Sequence, residues 1–256
     1  PTALGPRPGV AGARILVVED NALNQELARE LLERAGAVVT IADDGAGAVE
    51  TVQHGGPFDV VLMDCQMPVM DGYEATRRLR SLPASANLPI IAMTASALAE
   101  DRDRALAIGM NAHLTKPLDV ERLLATIAAQ RAGRGTAAAP AAPAPPAAAG
   151  PIDTDAGLAR CLGQRDLYRR LLHGFRQTQS GFAAGYRRAI ADGRPADAAR
   201  ALHDLTGLAG TIGAAELQRL AGRLRAAAGG PGHDAVFEQM AAELERVLAQ
   251  IRSLLH

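Results

Sequence analysis

The stretch from Phe58 to Gly72, Phe-Asp-Val-Val-Leu-Met-Asp-Cys-Gln-Met-Pro-Val-Met-Asp-Gly, constrains the fold of this chain more than any other. Val60–Met63 is an unbroken apolar run with two β-branched residues, and it stops abruptly at Asp64. Such a run suits a strand buried on both faces, of the kind found inside parallel sheets. It delivers a carboxylate to the C-terminal edge of its sheet, where open α/β sheets bind their ligands. Pro68 and Asp71-Gly72 then turn the chain into a helical pattern over Tyr73–Leu82. An isolated Asp there could simply cap the turn. Polar residues at the other strand ends decide for a site.

The flanking sequence repeats this unit. Arg14–Asp20 reads as a strand ending in acids, and Asn21 caps a helix with Leu23, Leu27, Leu31 and Leu32 at helical spacing, stopped by Gly36. Val38–Ala42 is a second strand and Ala46–His54 a small-residue helix. Leu88–Ala95 holds a fourth strand ending at Thr94, followed by a helix over Glu100–Ile108 that Gly109 closes. Ala112–Pro117 holds a fifth, shorter strand, and Val120–Arg131 a last helix. Strand alternates with helix five times, which predicts an α/β doubly wound, five-stranded parallel sheet. Right-handed crossovers on both faces favour the flavodoxin-like order 2-1-3-4-5.

At 256 residues the chain is long enough for two domains, each with its own core. Residues 1–13 are Pro/Gly-rich without periodicity and read as a linker, residues 14–131 as the α/β domain, and the whole as part of a longer polypeptide. From Ala132 to Gly150 the composition collapses to Ala, Pro and Gly with Arg134 and Thr136, which predicts a second linker over 132–150. Residues 151–256 carry no strand signals. Asp153 caps a short helix through Cys161, and Leu167, Leu171, Phe175, Phe182, Tyr186 and Ile190 share a face of a long helix with a break near Ser180-Gly181. After Gly193, Pro195 opens a helix burying Leu202, Leu205, Ala209 and Ile212. Leu217, Leu220 and Leu224 mark another, ended by Gly229-Gly230, and Phe237, Met240, Leu244, Val247, Ile251 and Leu254 a last one. That pattern predicts an all-α four-helix bundle with a short lead-in helix.

A net charge of −1 gives no reason to expect nucleic acid or an anionic membrane as partner. Cys65 and Cys161 are too far apart in sequence for a disulfide or zinc framework, which fits a reducing cytosol and a cytoplasmic location. No apolar run reaches the length of about 18 residues needed to span a membrane.

Four strand ends converge on one rim of the predicted sheet: Glu19-Asp20, Asp64, Thr94 and Lys116. Three carboxylates packed together repel and need a cation, and oxygen-only ligands favour Mg²⁺. Thr94 offers a hydroxyl and Lys116 a point positive charge for phosphate oxygens. Pro117 disfavours helix at the lysine. The set suits phosphoryl transfer to a carboxylate.

Residues 14–131 resemble a response-regulator receiver domain through Val-Glu-Asp-Asn, Met-Asp-Cys-Gln-Met-Pro-Val-Met-Asp-Gly, Met-Thr-Ala and Thr-Lys-Pro, in that order. The resemblance implies that Asp64 is the phospho-acceptor, that Asp20 binds Mg²⁺ directly and Glu19 through water, and that the Gln66 backbone carbonyl completes the protein ligands. It implies that Thr94 switches toward the phosphoryl group and Lys116 bridges to it. The position of the family's aromatic switch residue, three before the lysine, holds His113. The Asn21…Asn24-Gln25 pattern resembles receivers attached to hybrid sensor kinases.

Of six histidines, His203 stands out, because Gly207 and Gly210 follow it within a predicted helix, where Gly costs roughly 1 kcal/mol against Ala. Small neighbours predict a shallow surface beside an exposed imidazole. His203-Asp-Leu-Thr-Gly-Leu-Ala-Gly-Thr-Ile-Gly-Ala is similar to the signature of histidine phosphotransfer domains, with Thr206 where the family usually has Lys. The resemblance makes His203 a second phospho-acceptor. Together the two imply the tail of a hybrid histidine kinase in a phosphorelay, partnered by an upstream kinase domain and a downstream receiver. Two other classes compete. A haloacid-dehalogenase-type hydrolase needs an acid two residues after the nucleophile, where Gln66 stands; a non-catalytic docking adaptor needs no chemistry at all.

Overall fold

The computed structural model describes residues 5–94, 99–133, 150–227, 230 and 232–255. Most of the expected linker, 134–149, lies outside them, as do Ala95 and Gly229. The chain divides into two compact units, 1–142 and 143–256, each described by itself.

The first unit runs β1 (Arg14–Val18), α1 (Ala22–Arg34), β2 (Val38–Ala42), α2 (Gly45–His54), β3 (Val60–Asp64), α3 (Gly72–Ser81), β4 (Ile90–Thr94), α4 (Ala99–Ala107), β5 (Ala112–Thr115) and α5 (Val120–Arg131). All five strands are parallel, in the order β2-β1-β3-β4-β5. Every residue of β3 and β4 is buried, which is why these strands read as continuous apolar runs and not as alternation. Leu16, Val18, Val61, Met63, Ile90 and Ala92 pack with Ala48 of α2, Tyr73, Ala75 and Leu79 of α3 and Ala105 of α4. Strand alternation sends Ile15, Val17, Val60, Leu62, Ile91 and Met93 to the other face, where α1 and α5 lie. Each fully buried Leu or Ile adds roughly 1.5–3 kcal/mol of transfer free energy.

Local chemistry starts the helices where the chain leaves the sheet. The Asn21 side chain accepts from the Leu23 and Asn24 N–H groups, and Asp44, Asp71 and Asp119 cap α2, α3 and α5 in the same way. Gly72 opens α3 so close to β3 that a Cβ there would collide with the Asp64 carbonyl oxygen. Of the segment before β1, expected as linker, the described residues around Arg7 and Val10 are docked. Val10 is 1% exposed, Arg7 N–H donates to the Ala35 carbonyl at 2.9 Å, and the Arg7 guanidinium pairs with Glu121 of α5 at 2.6 Å. A segment without periodicity still packs when one apolar side chain and a few backbone hydrogen bonds find partners.

The second unit is helical among the described residues: α6 (Thr154–Arg160), α7 (Arg165–Gln179), α8 (Phe182–Ala191), α9 (Pro195–Ile212), α10 (Ala215–Ala226) and α11 (His233–Leu255). The long helix expected over Leu167–Ile190 is broken at Ser180-Gly181 into α7 and α8. Helix α9 is central, in contact with α6, α7, α8 and α10, and α11 packs on α7 and α10. Asp153 caps α6, and Gly213 ends α9 in the left-handed conformation with φ +89°. No helix among the described residues is long and apolar enough to cross a membrane.

Candidate functional site

Parallel strands bring β1, β3, β4 and β5 to a common C-terminal edge, so residues far apart in sequence meet there. Asp64 ends β3 and is fully buried; Glu19, Thr94 and Lys116 are buried too, and Asp20 is half-buried. Carboxylate oxygens of Glu19, Asp20 and Asp64 lie within 4.8 Å of one another. The Lys116 ammonium donates to Asp64 Oδ2 and to Glu19 Oε2, each at 2.5 Å. From the sequence, a metal ion is the expected relief of the acidic repulsion. Lys116 supplies part of that relief from within the chain.

Burial dominates the titration of this cluster. It pushes Glu19 up to about 7 against the pull of Lys116, with the Asp64 charge adding to the rise. Burial alone would lower Lys116, but Asp64 and Glu19 outweigh it and hold the ammonium above its ordinary value. The Cys65 thiol beside the acceptor is pushed up to about 12, by burial first and the Asp64 charge second, so it is no nucleophile at neutral pH.

The Gln66 N–H donates to Asp64 Oδ1 at 3.0 Å, which pins the carboxylate at the start of the loop. The amides of α1 do the same for β1. Asn24 Nδ2 donates to Glu19 Oε1 at 2.8 Å, and Gln25 Nε2 to the Glu19 carbonyl at 2.6 Å and to Asp43 Oδ1 at 2.8 Å. These two side chains read in the sequence only as part of a pattern. Their positions in the first turn after the acids were the available signal. An all-oxygen set of three clustered acids fits a hard divalent cation such as Mg²⁺.

Thr94 Oγ1, at the end of β4, and His113 Nε2, two residues before the end of neighbouring β5, are 2.7 Å apart and share a hydrogen bond. Burial, with Arg122 and Arg102 nearby and Asp101 opposing them, holds the His113 imidazole below its usual pKa.

His203 lies on α9 and departs from the expected exposed imidazole: it is 7% exposed, with Nδ1 buried. The central position of α9 accounts for this, because every residue from Leu205 to Ile212 is buried as well. Nor is the glycine surface bare, since a Cβ on Gly210 would fall 2.7–2.9 Å from the Gln218 side-chain amide. Thr206 is buried and its hydroxyl donates to the Leu202 carbonyl at 2.7 Å. Arg200, one turn before His203, is exposed.

The family description "Response regulator receiver domain" matches residues 15–128, and "Hpt domain" matches residues 170–253. The chain is 39% identical over 172 residues to the sensor protein GacS of Pseudomonas syringae, a match covering 64% of this chain and 19% of that one. It is 43% identical over 113 residues to the two-component response regulator ORR41 of rice, covering 43% of this chain and 87% of that one. A crystal structure of a sensor histidine kinase receiver domain from Pseudomonas aeruginosa, with a magnesium ion coordinated in its active-site cleft, is 41% identical. It covers 48% of this chain and 99% of that chain, with a TM-score of 0.45. The chain spans only 12% of a probable histidine kinase of rice and 19% of GacS. With its acid cluster, buried lysine and helical second unit, the chain belongs to the response-regulator receiver family and carries an Hpt domain behind the receiver.

Proposed function

We propose that the chain relays a phosphoryl group in two steps, from a kinase phosphohistidine to Asp64 and from Asp64 to His203, which delivers it to an Asp of a separate receiver. The observation that carries this reading is the Lys116 ammonium held 2.5 Å from Asp64 inside an acidic cluster at the sheet edge. In the first step an Asp64 oxygen attacks phosphorus, the P–N bond to the donor imidazole breaks, and the electron pair leaves on that nitrogen. The product is an acyl phosphate, so no ATP enters the reaction at this site. In the second step Nε2 of His203 attacks the same phosphorus and Asp64 leaves as a carboxylate. The burial of Nδ1 favours Nε2 as the acceptor.

Glu19, Asp20, Asp64 and the Gln66 carbonyl would hold Mg²⁺, which when bound neutralises charge on the phosphoryl oxygens. Lys116 supplies a second cation on the Asp64 side, already in place before the phosphoryl group arrives. The hydroxyl of Thr94 donates to a phosphoryl oxygen once it turns toward Asp64. The upstream partner is a histidine kinase domain in the same polypeptide, and the whole works in the cytoplasm with no contact to nucleic acid or membrane by this part.

Incubating the full chain with acetyl phosphate and Mg²⁺ tests the reading on phosphate-affinity gels. Wild type and His203→Gln are expected to shift, and Asp64→Asn is not. Base-stable label on wild type that His203→Gln lacks would mark phosphohistidine. No shift in any variant would leave the docking adaptor, and a shift in Asp64→Asn would move the acceptor elsewhere.

A further inference from the structure

The Thr94–His113 hydrogen bond sets this receiver apart from one with a hydrocarbon ring three residues before the lysine. A phenyl ring has no lone pair to offer a hydroxyl, whereas a bare imidazole nitrogen is a strong acceptor. Thr94 has one hydroxyl proton, and at 2.7 Å from Nε2 it is well placed to donate it there. A phosphoryl group on Asp64 wants the same proton. The inference rests on the reading of Asp64 as phospho-acceptor.

We propose that His113 is a positioning residue that holds the Thr94 hydroxyl proton on its Nε2, so that a phosphoryl group on Asp64 must win this proton from the imidazole. His113 then acts as a brake on the phosphorylated state and not as a passive ring that fills space. The surroundings keep the brake engaged. Burial, together with the charges of Arg122 of α5 and Arg102 of α4 and against that of Asp101, disfavours the imidazolium, which cannot accept. On release the ring changes tautomer, losing the Nδ1 proton to water and taking one from water at Nε2, so that it stays neutral and donates to Thr94 Oγ1 in turn. The hydroxyl can then serve the phosphoryl group while remaining tethered.

Two measurements on the full chain test this. In the Mg²⁺-free, unphosphorylated protein, nitrogen-15 shifts of the His113 ring should report the tautomer protonated at Nδ1, with Nε2 bare. A ring protonated at Nε2 would overturn the proposal without any variant needing to fold. The second reads the rate of Asp64 labelling by acetyl phosphate. His113→Phe should label roughly two- to tenfold faster than wild type, the value of one neutral hydrogen bond. His113→Gln, which keeps a carbonyl acceptor, should stay nearer wild type, and in a Thr94→Val background the gain from His113→Phe should vanish. A gain that persists without the Thr94 hydroxyl, or no gain at all, would overturn the proposal. If wild-type Asp64 takes no label, the acceptor reading fails and the proposal with it, while the nitrogen shifts still report whether the hydrogen bond has the assigned sense.

Discussion

Lys116 Nζ sits 2.5 Å from Asp64 Oδ2, in a pair whose side chains are 7% and 0% exposed. Lys116 is also the single lysine among 27 cationic side chains, the rest being arginine. The geometry explains the exception. A compact ammonium reaches two carboxylates at once in a closed pocket, whereas a planar guanidinium needs forked partners and more room. Burying such a pair costs desolvation that its mutual attraction scarcely repays. Its presence is better explained by chemistry at Asp64 than by stability.

Replacement of this lysine should therefore keep charge without keeping the site. Lys116→Arg is expected to overpack the pocket and lower unfolding free energy by about 1–3 kcal/mol. Urea denaturation of the full chain would detect it as a lower midpoint for the receiver transition. An unchanged midpoint would mean that the pocket has room the structure does not show.

Mg²⁺ and protons should compete for Glu19. Its folded pKa of about 7 stands above the unfolded value of 4.5, so the folded state binds the proton more tightly. The stabilisation from that proton is full below about pH 4.5 and is lost as pH rises through about 7. Without metal, the receiver melting temperature should fall over that window, and the increment on adding millimolar Mg²⁺ should grow over the same range. A ligand at 100 times its Kd adds about 2.7 kcal/mol to the state it binds. Asp20→Ala should lose most of the Mg²⁺ increment; equal increments in both proteins at every pH would defeat the metal assignment.

With Thr206 turned to the Leu202 carbonyl, no charge comes from the position that usually carries lysine. Arg200, exposed one turn before His203 on the same helical face, is the neighbouring cation in sequence. Arg200→Ala should slow transfer from phosphorylated Asp64 to His203 roughly tenfold, the effect of about 1.4 kcal/mol at the transition state. Single-turnover transfer read by base-stable label is the check, and an unchanged rate would remove Arg200 from the mechanism.

The lead-in helix α6 sits on α9 through Gly157, where a Cβ would lie 2.5 Å from Tyr168 Cε2 and 2.6 Å from the Ile212 carbonyl oxygen. That carbonyl also accepts the Tyr168 hydroxyl at 2.8 Å. Gly157→Ala should force the ring aside and destabilise the bundle by about 1–3 kcal/mol, despite the better helix propensity of alanine. A raised bundle melting temperature would show that α6 can lift away at no cost.

Features that depend on near neighbours were legible in the sequence. Asn21 and Asp153 cap helices because each side chain reaches an N–H two or three residues on. The break at Ser180-Gly181 and the strand–helix alternation are likewise local, and parallel topology then forces Asp64, Thr94 and Lys116 to one edge. Tertiary packing alone decided what each group there touches. Lys116 meets Glu19 across 97 residues, and His113 bonds Thr94 because β4 and β5 pair in a register that sets Ala92 against His113. Arg80 donates to the Gly109 and Ser85 carbonyls and to Asn111, joining two connections, α3–β4 and α4–β5, by a fork that no periodicity announces. His203 is buried, not exposed, because an amphipathic pattern gives the width of an apolar face, while how many helices cover α9 is settled only when the bundle closes around it.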